Sequence, residues 1–486
     1  MIYLEFRGNE NFLYDVQGLA MSFYPRVEVK EIHQPEEEPM QFEPGDRLLR
    51  VEYLEKEVRV SLYRGEDSPV LSGVEPVDFS NRKEAKSVVK RLVYGILSED
   101  TNKTLPWGTL TGIRPTKIPM AMLEEGASDG AITSYMEQTY LTSPEKTALS
   151  LEIAKREREV LKDVDYQNGY SLYIGIPFCP TTCLYCSFTS YPVKKWAPRM
   201  DEYLDALFKE IDYTRLQFAG RPLDSIYIGG GTPTTLEPEH LERLLTKVEE
   251  SFDLSHVKEW TVEAGRPDSI TMEKLKVLKR HPVTRISINP QTMKAETLKI
   301  IGRRHTPEQI REAYAMAREA GMDNINMDLI MGLPEENLDD VRRTMEELTV
   351  MAPDSITVHS LAIKRAARLN TMKEQYAHMR FENTEEMMDL TAAYCRRLGL
   401  EPYYLYRQKN MAGNFENVGY ALPGKAGIYN ILIMEEKQTI VALGAGSTTK
   451  AVFPDGRIER CDNVKDIDQY LTRIDEMIDR KRKLLA

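Results

Sequence analysis

The sequence predicts an α/β protein: a partial (β/α)6 barrel, preceded by an α+β domain and followed by a C-terminal extension. From Ser171 onward, short apolar strands alternate with helical stretches, a rhythm that specifies parallel βαβ units with right-handed crossovers. The 486 residues, 42% of them hydrophobic, exceed one ordinary domain and can build large cores. No short-period repeat or low-complexity tract interrupts the chain, which removes solenoids and disordered arrays from consideration. The expected divisions are 1–104 for the N-terminal α+β domain, 105–165 for a connector and linking helix, 166–365 for the barrel, and 366–486 for the extension on the substrate side.

The first hundred residues read as strand (Tyr3 to Phe6), helix, strand (Val27 to Ile32), a two-strand hairpin (Leu48 to Leu62) and a helix from Arg82 to Leu97. Turn residues across Arg64 to Asn81 make that stretch a loop, and frequent Gly and Pro from Leu105 to Leu123 make an ordered but irregular connector. Ser143 followed by Pro144 is a helix start, and the amphipathic, charged run continues to about Lys162. Six strands then follow: LYIGIPF, SIYIGG, WTVEA, RISINP, INMDLIMG and SITVHSL. The helices between them span Met200 to Gln217, Pro238 to Phe252, Met272 to Lys279, Lys294 to Ile301 with Pro307 to Ala320, and Leu338 to Met351. A full barrel needs eight units, and the residues after Leu361 do not clearly supply two more.

A formal charge of −12 argues against bulk attraction to nucleic acid or anionic membrane, since counterion release needs clustered Lys and Arg. No run approaches the ~18 apolar residues of a membrane helix, and no basic-then-apolar leader opens the chain. Five cysteines in this length are no disulfide framework, and three of them crowd into eight residues, which points to a metal in a reducing compartment. A monomeric, cytoplasmic protein is expected.

Cys179, Cys183 and Cys186 form C-x3-C-x2-C directly after the first strand of the parallel series. Three thiolates can hold three irons of a cubane and leave the fourth open. A structural zinc site wants a fourth ligand at suitable spacing, and Cys395 and Cys461 are remote. One unit later comes Gly229, Gly230, Gly231, Thr232, where the backbone can approach a ligand closely or merely turn. Glu263, Gln291, Arg303 and Asp328 lie at or just beyond later strand ends, where barrel chemistry gathers. A carboxylate inside INMDLIMG must have partners, either a ligand or an internal salt bridge.

The segment YIGIPFCPTTCLYC resembles the cluster loop of radical S-adenosylmethionine (SAM) enzymes, and its lead-in from Tyr173 resembles the oxygen-independent coproporphyrinogen III oxidase branch. The resemblance spans Tyr173 to Ser360 and includes GGGTP, the Gln291 turn, Arg303 and DLIMGLP. It implies a 4Fe–4S cluster on Cys179, Cys183 and Cys186, and S-adenosyl-L-methionine held by Tyr173, Tyr185, Gly229, Gly230, Gly231, Thr232, Glu263, Gln291, Arg303 and Asp328. In that family Glu263 matches the acid on the SAM amino group, Arg303 the base facing its carboxylate, and Gln291 and Asp328 the ribose side. Tyr185 matches an aromatic near the adenine, or packs over the cluster.

Two positions depart from the anaerobic oxidase pattern: Gly175 stands where it has His, and Phe188 where it has a further Cys. The Phe188 form is shared with haem chaperones. WGTLTGIRPTK and HSLAIKRAARLN, with the long N-terminal domain, are similar to HemZ-type coproporphyrinogen dehydrogenases. The activity so implied is oxidative decarboxylation of coproporphyrinogen III to protoporphyrinogen IX in haem biosynthesis, with a tetrapyrrole substrate and an electron donor such as flavodoxin or ferredoxin. The alternatives are a haem chaperone and a radical SAM methyltransferase acting on a tetrapyrrole. A substrate with four propionates needs cations. Lys364, Arg365 and Arg368 are the candidates, with Arg407 and Lys409 further on, although any one of them could be a solvated helix-face charge. Tyr403, Tyr404 and Tyr406 could line an apolar pocket or sit in the core.

Overall fold

The computed structural model describes all residues except 9–11, 26, 33–42, 66–67, 377, 409–414 and 486. Lys409 therefore lies outside the described residues. The chain divides into two compact units, Met1–Glu152 and Ile153–Ala486.

In the first unit, β1 (Ile2–Arg7), β2 (Val29–Ile32), β3 (Arg47–Tyr53), β4 (Glu57–Tyr63) and β5 (Leu71–Pro76) form one sheet in the order β2-β1-β3-β4-β5. Helices Leu13–Phe23 and Arg82–Thr101 supply Val16, Leu19, Phe23, Val89, Val93 and Leu97 to a core shared with the buried positions of β1, β3 and β4. Two expectations need correction. The stretch read as a loop contains β5, an antiparallel partner of β4. It buries no residue fully, so the backbone ladder defines it and no apolar run announces it. The Gly- and Pro-rich connector ends in a helix, Lys117–Glu124; Pro119 falls in its first turn, where a missing N–H costs nothing. A further helix, Asp129–Tyr140, was not foreseen and is capped by the Ser128 hydroxyl, which accepts from the Ala131 amide. Helix Pro144–Val160 starts as the sequence implies, with Ser143 Oγ accepting from the Lys146 amide at 3.2 Å.

The second unit holds β6 (Tyr170–Ile176), a short pair β7 (Phe178–Cys179) and β8 (Tyr191–Pro192), then β9 (Leu223–Gly230), β10 (Glu259–Glu263), β11 (Arg285–Ser287), β12 (Ile325–Met331) and β13 (Ser355–Ser360). The six expected parallel strands lie side by side as β13-β12-β11-β10-β9-β6. Helices Met200–Gln217, Pro238–Ser251, Met272–Arg280, Pro307–Glu319 and Leu338–Met351 fill the crossovers, each burying an apolar stripe such as Leu241, Leu244, Leu245 and Val248.

The C-terminal residues do more than extend this barrel. β14 (Glu401–Tyr406) and β15 (Asn417–Ala421) add antiparallel strands beside β13, while β16 (Thr439–Leu443), β17 (Thr448–Val452) and β18 (Ile458–Asp462) extend the other edge. β16 pairs in parallel with β6 and is a seventh parallel strand, which the sequence reading did not supply. Its five residues are all buried, its preceding helix Ile428–Glu435 spans only eight, and β17 returns antiparallel. The strand-helix rhythm that marks the earlier units is therefore absent there.

Candidate functional site

The inner face of the parallel sheet can be located from burial alone. β6, β9, β10, β12 and β13 are otherwise nearly closed to solvent, yet each leaves one side chain half-exposed: Tyr173, Tyr227, Glu263, Asp328 and His359. Because side chains alternate along a strand, the in-register neighbours Tyr173 and Tyr227 share a face. Their rings stack at 6.2 Å, and Tyr429 stacks on Tyr227 at 4.4 Å. The Tyr227 hydroxyl donates to Glu263 Oε1. Burial pushes the Glu263 carboxyl up to about 7; the Asp328 charge adds to the rise, while the Tyr227 hydroxyl, Arg285 and His359 oppose it. For Asp328 burial acts the same way, but His359, 3.8 Å away, and the Asn326 amide, 2.7 Å away, outweigh it and hold the carboxyl below its usual value.

The cysteine loop joins this face where β6 runs into β7. Cys179, Cys183 and Cys186 are all free thiols. The Cys186 amide closes a turn on the Cys183 carbonyl at 3.2 Å. Burial raises Cys179 and pushes Cys186 up to about 11, and in both the neighbouring thiols add to the rise. The three sulfurs therefore share one electrostatic environment, one that a cationic cluster would reverse. Among the described residues no three His, Cys, Asp or Glu side chains converge on one point where a single ion would sit. A cubane does not ask for that, because each thiolate ligates a different iron, and the donor set fits it.

The glycine triplet has local reasons as well as functional ones. A Cβ on Gly231 would come within 2.5 Å of the Phe178 carbonyl oxygen, and one on Gly229 within 2.8 Å of the Tyr227 ring. Their absence lets the end of β9 lie against the cysteine loop and clears space beside Glu263. Thr232 donates its amide to the Phe178 carbonyl at 2.7 Å, and its hydroxyl is 3.5 Å from Cys179 Sγ.

Arg303 is buried without a carboxylate partner among the described residues. Its Nη1 donates to the carbonyls of Asn289 and, at 3.3 Å, Gly265; its Nη2 donates to the Tyr185 hydroxyl at 3.2 Å; its Nε donates to nothing described. Gln291 adopts φ 68°, a left-handed conformation that non-glycine residues rarely take. Its amide donates to the Asp328 carbonyl at 2.9 Å and its carbonyl accepts from Ile330 at 3.0 Å, so the turn after β11 is tied to β12 beside Asp328.

The candidate substrate cations have separate environments. Lys364 lies 5.4 Å from the Phe188 ring, and burial pulls its pKa down, with Cys186 opposing. Arg365 is exposed. Arg368 lines a cavity with Lys299 and Arg304. Arg407 is buried, and desolvation lowers it to about 10 with Glu416 opposing. Tyr403 and Tyr404 pack in the core against helix Ile428–Glu435, whereas Tyr406 reaches His359 Nδ1 at 3.3 Å.

Three residues not singled out from sequence belong to this region. Arg266 lies 3.7 Å from Cys183 Sγ and holds Thr181 Oγ1 at 3.1 Å. Arg285 is buried and donates to Ser355 Oγ at 3.0 Å. Tyr227 stands two residues before Gly229, and strand alternation alone could have placed it on the glycine's face.

Residues 173–348 match the Radical SAM superfamily. Over 408 residues, 83% of this chain and 81% of the relative, the sequence is 42% identical to the oxygen-independent coproporphyrinogen-III oxidase-like protein HemZ of Bacillus subtilis (strain 168). It is 31% identical to the heme chaperone HemW of Lactococcus lactis subsp. lactis (strain IL1403), over 58% of this chain and 70% of that one. The solved coproporphyrinogen III oxidase HemN from Escherichia coli superposes with a TM-score of 0.52 at 23% identity, covering 66% of this chain and 73% of that one. Sequence similarity along most of both chains, with three free thiols at the end of the first parallel strand, assigns the chain to the radical SAM superfamily and, within it, to the oxygen-independent coproporphyrinogen-III oxidase-like family.

Proposed function

We propose that the protein oxidatively decarboxylates coproporphyrinogen III to protoporphyrinogen IX without oxygen, with Cys179, Cys183 and Cys186 ligating the cluster. As a family member the chain works with a 4Fe–4S cluster and SAM, which supply the one-electron chemistry that starts hydrogen abstraction. The observation that carries the reading is the junction of the three-thiol loop with the half-open face bearing Tyr173, Tyr227, Glu263 and Asp328.

Each side chain on that face has a task. Glu263 accepts from the SAM amino group, and Arg303, buried with no acid beside it among the described residues, meets the carboxylate. Gln291 and Asp328 face the ribose, and Tyr185 sits over the adenine side with its hydroxyl held by Arg303. The stacked Tyr173, Tyr227 and Tyr429 wall the site and exclude water. Lys364 lies on the loop side, beside Phe188, where propionates need cations.

Anaerobic incubation with dithionite, SAM and coproporphyrinogen III is expected to give products lighter by one and two carboxyl groups with their hydrogens, read by mass analysis. Absence of that loss together with stable haem binding would favour the chaperone reading, which the exposed Phe188 beside the loop supports. A methylated product would favour a methyltransferase.

The elevated Glu263 carboxyl makes SAM binding pH-dependent in a defined direction. The SAM ammonium favours the ionised carboxylate, which dominates above about 7 and is lost below it. SAM affinity is therefore expected to fall about tenfold from pH 8 to pH 6, measured by equilibrium dialysis on reconstituted protein. Glu263→Gln should weaken binding at pH 8 and flatten the profile; an unchanged profile would leave Glu263 a structural carboxyl.

A further inference from the structure

A cavity of about 480 Å³ opens beside the cysteine loop, on the loop's Thr181–Thr182 segment. Ten of the described residues line it, and none of these is acidic; Lys299, Arg304 and Arg368 are exposed cations. Among the described residues, none of these three side chains pairs with a carboxylate. The cavity is built into the loop that carries the thiols: Thr181 Oγ1 donates to the Gly302 carbonyl at 2.9 Å, the Leu184 amide to the Ile301 carbonyl at 2.9 Å, and the Leu369 amide to the Leu184 carbonyl at 2.9 Å. Segments 299–304 and 368–369 therefore bring their cations to a rim only one or two residues from Cys179 and Cys183.

We propose that this cavity is the docking site for an acidic protein electron donor, whose surface carboxylates meet Lys299, Arg304 and Arg368. The inference rests on the assignment of the cluster to the three thiols and not on the tetrapyrrole chemistry. Its argument is one of charge and place. A chain of net charge −12 repels an acidic protein at long range, so a local cluster of unpaired cations orients the encounter. Electron transfer also requires close approach, and the cations surround the wall of the loop that holds the electron acceptor. In the step itself the donor's reduced flavin or iron–sulfur centre loses one electron and the cluster gains it; no bond forms or breaks. A free phosphate or carboxylate could enter the same cavity, but the exposed rim cations suit a macromolecular surface, and the two sources separate in experiment.

The test is a Lys299→Glu/Arg304→Glu double variant of the full-length reconstituted protein, compared with Lys209→Glu/Arg215→Glu. The control pair is exposed on helix Met200–Gln217 and makes the same change in net charge. Iron content checks that each variant folds and loads. Cluster reduction and SAM cleavage are followed with photoreduced flavodoxin and, separately, with reduced methyl viologen, a small cation that needs no acidic docking surface. Flavodoxin-driven reduction is expected to fall at least about tenfold in the first variant and little in the control, and wild-type reduction to slow as salt rises. Viologen-driven reduction should stay the same or quicken. Equal flavodoxin rates in both variants, or equal loss with viologen, overturns the proposal. So does inhibition by inorganic phosphate beyond that of chloride at matched ionic strength with the flavodoxin rate untouched by the variant, which would make the cavity a small-anion site. SAM cleavage by viologen with no coproporphyrinogen turnover would sink the proposed substrate and leave the docking result standing.

Discussion

Anaerobically reconstituted protein is expected to bind about four irons per chain, and Cys179→Ala, Cys183→Ala or Cys186→Ala is each expected to bring SAM cleavage to background. The reason is the ligand count. Three thiolates hold three irons and leave one open, so no spare protein sulfur exists on the loop to replace a lost ligand. Cys395 is buried in helix Glu385–Arg397 and Cys461 lies in β18, so their alanine variants should keep both iron and activity. Iron analysis and chromatography of 5′-deoxyadenosine check the series. A triple Cys179/Cys183/Cys186 alanine variant that still cleaves SAM would falsify the assignment.

How much of this was legible in the sequence depends on how local each cause is. The cysteine loop, the glycine triplet and the six strands are written in contiguous residues, and the helices that follow them run close to their expected bounds. The site's second layer is not contiguous. Arg266 reaches Cys183 across 83 residues, and Arg303 reaches Tyr185 across 118. Only the assembled sheet brings them together. β16 was missed because a fully buried five-residue strand carries no alternation to mark it. β5 was missed for the opposite reason, since it buries almost nothing and is held by its ladder to β4. Tyr403 and Tyr404 show the limit of composition as a guide, because an aromatic-rich strand beside the barrel turned out to pack a core. The shared open face of Tyr173, Tyr227, Glu263, Asp328 and His359 needed registers, which no single strand records.

Replacing Lys481 by alanine is expected to be the most destabilising change available in the C-terminal region, at about 3–5 kcal/mol. Lys481, on helix Ile474–Leu485, and Glu210, on helix Met200–Gln217, are both fully buried and paired at 2.5 Å. Glu210 also accepts from the Gly444 amide at 2.7 Å, from Asn463 Nδ2 at 2.9 Å and from the Tyr470 hydroxyl, and Lys481 donates to Asn463 Oδ1 at 2.6 Å. Such a pair stabilises little against an apolar replacement of both partners, but removing one leaves the other's charge buried and uncompensated. The loss should therefore reach the site. Gly444 packs against Gly175, where a Cβ would lie 2.4 Å from the Gly175 carbonyl oxygen. Tyr203 bridges the same contact, donating to Gly175 at 2.7 Å and accepting from the Ala445 amide at 3.1 Å. Gly175 is the last residue but one of β6, the strand that delivers Phe178 and Cys179, so a loosened β16 loop loosens the seat of the thiols. Lys481→Ala should lower the melting temperature and quicken iron loss to a chelator. The double variant Glu210→Gln/Lys481→Met, which removes both charges and keeps an acceptor for Gly444 and Tyr470, should recover much of both. Melting of Lys481→Ala at the wild-type temperature would show that water or a neighbouring group compensates Glu210, and the link from the C-terminal helix to the cysteine loop would then have to be abandoned.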